Sequence, residues 1–294
     1  MAETRFEDAR ADGPTARTSP EGPDWIENRP SRSWLPHLDL GELWSSREIT
    51  LVLAQRNIKT RYKQTVLGVA WTILQPLSAV VIFSLVLGRL ANVPSDGVPY
   101  PVFVYSGLAA WLYMAGASNL ASESLAQYRQ LVTKVYFPRL HAPLSSTLPG
   151  LVDLAISIAA IGVFMAIYDV RPTRAIVFLP LCIVILVLFT FAVGTWLAAL
   201  NVQYRDVRNA LAFMLQLWLF VTPVVYGSSL LEGDWTFVLA LNPMAGIIEC
   251  FRWSLVGAEA PGAWAVVSLA VGLLVLASAL FYFGRVQRRF ADVI

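Results

Sequence analysis

Four cations, Arg56, Lys59, Arg61 and Lys63, stand within eight residues, directly before a long apolar run. Guanidinium and ammonium groups so placed offer charge-assisted hydrogen bonds to phosphate. At the mouth of an apolar run they have a second use, as orientation signals and as attractors of anionic headgroups, at about 1 kcal/mol per cation. Both readings stand for this collar. Other reactive groups are sparse. The chain has three lysines, Lys59, Lys63 and Lys134, and none follows a GxxxxGK[ST] loop, so this polypeptide is not expected to hydrolyse nucleotide. His37 and His141 read as loop histidines near prolines, and no Cys/His grouping has metal-ligand spacing. Cys182 and Cys250 read as small packing residues.

One acid lies deep in an apolar run, Asp153 in "LPGLVDLAIS". A carboxylate in lipid costs about 2.5–3.5 kcal/mol on insertion scales, so it must face the bundle or water. With no histidine or second acid beside it, it makes a poor proton relay. Two readings remain, a structural hydrogen bond and a pore-facing polar group. Further on, Asn242-Pro243 has the form of a helix start, with Asn as cap and Pro in the first turn. Glu249 and Arg252, three apart, can pair on that helix. No catalytic cluster of the kind an enzyme acting on lipid-linked sugars needs is visible.

The elements that must hold these residues are helices in a membrane. Hydrophobic residues make up 56% and charged residues 14% of the chain, against about 25% charged in soluble proteins. Apolar spans are expected at about 66–89, 101–121, 144–168, 175–200, 210–227 and 263–284, giving six transmembrane helices. Two stretches within 235–257 are apolar but too short to cross, and read as re-entrant helices. Residues 1–42 are rich in Pro, Arg and acids without periodicity and are expected to be a disordered tail, with no signal-peptide pattern. From 43 to 62, Trp44, Leu51, Ile58 and Tyr62 form one stripe, an amphipathic helix in the interface plane or packed on protein. In the loop 122–139, Leu125, Tyr128, Val132 and Val135 repeat at helical spacing before Pro138, either a connector or a docking knob. With 18 of the 22 Lys and Arg on one side, and 13 against 4 once residues 1–46 are set aside, both termini are expected in the cytoplasm.

Five segments in order, "RYKQTVLGVAWTILQPL" (61–77), "LVTKVYFPR" (131–139), "NVQYRDVRN" (201–209), "TPVVYG" (222–227) and "LNPMAGIIECFRW" (241–253), resemble the permease subunits of ATP-binding-cassette polysaccharide exporters, those of O-antigen and teichoic acid. The resemblance runs from about Leu43 to the C-terminus. It implies a channel-forming subunit that is no enzyme, in the cell inner membrane, working as a homodimer with two copies of a cytoplasmic ATPase. ATP and Mg would be bound by that partner, with no cofactor in this chain and no nucleic acid involved. The substrate implied is a polyprenyl-pyrophosphate-linked glycan; a small-lipid or drug exporter is the competing reading. Carried over by position, Tyr128, Arg129, Lys134, Tyr136, Phe137 and Arg139 match the ATPase-coupling region, with Gln203, Arg205 and Asp206 in the next inner loop. Asn242, Pro243, Glu249 and Arg252 fall in the outer gate. Aromatic faces along which sugar can slide are sought in Trp71, Trp111, Tyr113, Trp218, Phe220 and Tyr226. Gln75-Pro76 gives the first span a place to bend. Gly227 departs from the family pattern, in which Pro commonly follows the Tyr.

Overall fold

The computed structural model describes residues 40–63, 68–129, 138–204, 206–231 and 233–287. The expected tail up to residue 39, with His37, lies outside them, as do Lys134, Tyr136, Phe137 and Arg205. All regular structure among the described residues is helical. In order these are α1 (Leu40–Ser45), α2 (Arg47–Lys63), α3 (Gly68–Phe83, continued as a π-helical segment Ser84–Leu90), α4 (Tyr100–Gln127), α5 (His141–Thr147), α6 (Gly150–Ile167), α7 (Leu179–Gln203), α8 (Val207–Val221), α9 (Thr236–Leu241), α10 (Pro243–Val256) and α11 (Ala263–Val286).

Among the described residues, four stretches are long and apolar enough to cross a membrane: Ala70–Leu90, His141–Ile167, Arg174–Gln203 and Ala263–Val286. At 15 residues α8 is apolar but spans only about 22 Å. The 28-residue α4 is long enough, yet it carries Ser106, Ser118, Ser122 and Ser124. It tolerates them because it is the central helix, buried without a break from Val102 to Trp111, and an interior helix needs no lipid-facing surface. Ser122 and Ser124 return their hydroxyls to carbonyls three residues back, at 2.7 Å each.

Two apolar clusters follow α4. One joins Val102, Phe103 and Met114 to Leu186 of α7 and Ile248 and Phe251 of α10. The other, at the far end, joins Leu53 of α2, Leu125, Tyr128, Ala198 of α7 and Phe283 of α11. Small residues at these contacts, such as Ala121, Ala198 and Ala199, let backbones approach, as in-membrane packing requires.

Three expectations are corrected. The helix expected over 43–62 breaks at Ser46, whose hydroxyl bonds His141 Nε2 at 2.8 Å; a serine that finds a tertiary partner competes with the local ladder. Trp44 therefore sits on α1, and the face of α2 that meets the bundle is Thr50, Leu53 and Ala54. Residues 122–127 are the end of α4 and no separate helix; nothing between Ala117 and Gln127 breaks the run. His141 is no loop histidine but a buried residue opening α5, held also by Thr50 Oγ1 at 2.5 Å from Nδ1.

Candidate functional site

Asp153 stands in the first turn of α6, where the helix N-terminus favours a carboxylate. Its Oδ1 accepts hydrogen bonds from the Tyr62 hydroxyl at 2.5 Å and from Thr72 Oγ1 at 3.1 Å. Its Oδ2 pairs with the Arg61 guanidinium at 2.6 Å. Desolvation first, and then the bond to Asp153, push the Tyr62 phenol up to about 12, so it remains a donor at neutral pH. These residues, with Trp71, Gln75, Pro76, Tyr113 and Ser157, line a cavity of about 530 Å³. The hydrogen-bonded reading of Asp153 holds, and the side chain also lines this cavity.

The collar divides accordingly. All four cations are exposed along α2, and Arg61 also reaches Asp153 to form an ion pair. Tyr128, at the end of α4, is buried and donates to Asn57 Oδ1 of α2 at 2.8 Å. Arg129 is exposed, and Arg139 donates from Nη1 to the Gln287 carbonyl. Gln203 sits between Tyr204 and Tyr282: its Nε2 donates to the first at 3.2 Å and its Oε1 accepts from the second at 3.1 Å. Asp206 precedes α8 and is exposed, and Arg208 pairs with Glu123 of α4 at 3.0 Å.

The opposite end of α4 meets α10. Asn242 caps that helix by accepting from the Met244 amide at 3.2 Å. It also accepts from Trp218 Nε1 at 3.1 Å and donates to Thr222 Oγ1 at 2.9 Å, while its carbonyl takes the Ser268 hydroxyl at 2.6 Å. Pro243 follows at the first helical position, fully inside the protein. Arg252 is completely buried. It donates to the Pro223 carbonyl at 2.8 Å and the Val224 carbonyl at 2.5 Å, and it lies 3.7 Å from the Phe103 ring centroid. Glu249 is 3.7 Å away, so the expected pair exists, but the carbonyls are the closer partners.

Two glycines make this end possible. A Cβ on Gly107 would sit 2.5 Å from Arg252 Nη2 and 2.7 Å from the Val224 carbonyl oxygen. A Cβ on Gly227 would sit 2.5 Å from both Asp96 carboxylate oxygens, which gives the departure from Pro at that position a physical reason. No periodicity or motif marks Gly107, Asp96 or Asn57 in the sequence, and Thr72 falls in the 61–77 segment without standing out as a site residue.

The aromatic candidates separate. Trp71 and Tyr113 line the cavity, the first 57% exposed and the second buried with its hydroxyl toward the Thr147 carbonyl. Trp111 and Trp218 pack edge to face with centroids 5.7 Å apart. Phe220 is exposed, and Tyr226 donates to its carbonyl at 3.1 Å.

An all-helical fold with several membrane-length helices, and a cavity lined by the polar groups around Asp153, is that of a multi-pass membrane protein. The chain matches the family model "ABC-2 type transporter" over residues 48–256, and it belongs to that family. This is a family of multi-pass permease subunits, not themselves enzymes, that work with an ATP-binding-cassette ATPase. The chain is 31% identical to the O-antigen export system permease protein RfbA of Myxococcus xanthus over 260 residues, 86% of this chain and 98% of the relative. It is 25% identical to the protein of the same name from Klebsiella pneumoniae over 248 residues, 84% of this chain and 95% of the relative.

Proposed function

We propose that this chain is the permease subunit of an ATP-driven exporter of an O-antigen-like polysaccharide. The observation that carries this is the match to an O-antigen export permease along 98% of that relative's length. In this reading α4 and α8 join the four longer stretches as six spans, α9 and α10 are an outer gate, and both termini are cytoplasmic in the inner membrane. The 13-to-4 distribution of Lys and Arg favours that orientation. Two copies enclose the path, and two ATPase subunits drive it through the end of α4 and the loop that follows it, to residue 139. Tyr128 contributes from inside, by holding that loop on α2, while Arg129 is presented at the surface. The cargo is a polyprenyl-pyrophosphate-linked glycan, drawn from the inner leaflet beside the exposed collar cations.

The experiment is to express the chain with a cognate ATPase subunit and measure assembly, ATP hydrolysis and transport of a polyprenyl-pyrophosphate glycan in vesicles. Tyr136→Ala with Phe137→Ala is expected to abolish both assembly and export. Transport of small lipids or drugs with the glycan ignored would assign the cargo to the competing class.

A further inference from the structure

One carboxylate holds both sides of the α2–α3 junction. Arg61 and Tyr62 come from the last turn of α2, Thr72 from the early part of α3, and all three converge on Asp153 of α6. Helix α3 has special need of such a tie, because Ala70–Leu90 is the least buried of the four membrane-length stretches. Its own ladder is also interrupted beside the tie: Pro76 has no amide to give the Thr72 carbonyl four residues earlier. Packing therefore holds α3 weakly where the polar contacts hold it well.

We infer that Asp153 is a positioning residue for export: its carboxylate clamps the α2–α3 junction to α6 and so couples α2 to the wall of the cavity. The inference rests on the reading of α2 and the neighbouring inner loop as the parts an ATPase moves. While the clamp is closed, α2 cannot shift without carrying Trp71, Thr72 and Gln75 of the cavity wall with it. Opening it costs Asp153 one ion pair and two hydrogen bonds at a half-buried site. Asp153 touches no cargo in this scheme. It acts through Arg61, Tyr62 and Thr72.

The test compares Asp153→Asn, Asp153→Glu and Tyr62→Phe in the assembled exporter in vesicles, reading ATP hydrolysis and glycan export separately. Asp153→Asn is expected to leave hydrolysis within about twofold of wild type while export per ATP falls roughly tenfold or more, in the usual range of coupling between sites. Asp153→Glu should restore most of the export, and Tyr62→Phe should fall between. Export per ATP unchanged in Asp153→Asn overturns the inference. So does a parallel loss of assembly, hydrolysis and export in which Asp153→Glu gives no rescue, since that is the behaviour of a residue needed only for folding. If Asp153→Asn does not assemble, Tyr62→Phe and Thr72→Val decide, each removing a single donor. A wild-type complex that exports no glycan, or takes up no ATPase, would instead defeat the proposed function before any variant is compared.

Discussion

A completely buried arginine needs a structural account, and Arg252 has one. Helix α8 ends at Val221, and the chain then runs as a non-helical turn whose carbonyls at Pro223 and Val224 lack amide partners of the helical kind. Arg252 supplies both with donors from a single planar fork, and Phe103 covers its face. Gly107 leaves the space that the fork needs. Replacing Arg252 by Ala strands two carbonyls and removes the cation beside Glu249, and should destabilise by about 3–5 kcal/mol. Gly107→Ala should cost about 1–3 kcal/mol through overpacking. The two changes act on one contact, so the double variant should lose less than the sum of the singles. Thermal unfolding of the detergent-purified chain measures all three. Additive losses would show that Gly107 serves something other than the arginine.

At the scale of elements, the start of α10 shows what local sequence can reveal. Asn242-Pro243 is a cap signal contained in two adjacent residues, and Glu249 and Arg252 are one turn apart, so both were visible without a fold. The partners that turn the cap into a hub, Trp218, Thr222 and Ser268, come from α8, the following turn and α11. No local pattern announces them. The same holds for Asn57 with Tyr128, for Ser46 with His141 and for Tyr62 with Asp153, pairs separated by 71, 95 and 91 residues. That separation is why a helix continuous on paper breaks at Ser46, and why the burial of Tyr128, matched by position to the coupling region, was not announced by its neighbours. Asn242→Ala should remove the cap, worth about 1 kcal/mol, and leave the Trp218 and Ser268 contacts disturbed at about 1–3 kcal/mol more. Limited proteolysis between residues 228 and 242 should then become faster, while Asn242→Asp, which keeps the acceptor oxygen, should stay nearer wild type. Equal cleavage in all three proteins would mean that α9 and α10 are held by packing alone.

For the molecule as a whole, the question is what the collar is for once Arg61 is committed to Asp153. Neutralising all four cations together would break the clamp and the membrane contact at once, and the result could not be assigned. The structure separates them by partner: Arg61 pairs with Asp153, while Arg56, Lys59 and Lys63 are exposed, and with Trp44 and Leu51 at 73% and 53% exposed, α1 and α2 present both apolar and cationic groups at their surfaces. A triple change of Arg56, Lys59 and Lys63 to Gln leaves Arg61 in place. If the three act on headgroups at about 1 kcal/mol each, a segment covering residues 40–63 should lose affinity for anionic vesicles by roughly two orders of magnitude, and wild-type affinity should decline with salt. In the full exporter two outcomes are distinct. Export lost with orientation intact, read by protease access to the loops, places the three cations on the phosphate of the cargo or of its leaflet. Orientation lost, with export following it, leaves them as topogenic charge. Vesicle binding that ignores both the substitutions and the salt would remove the collar from either role and leave α2 as a helix held only by its Thr50, Leu53 and Ala54 face.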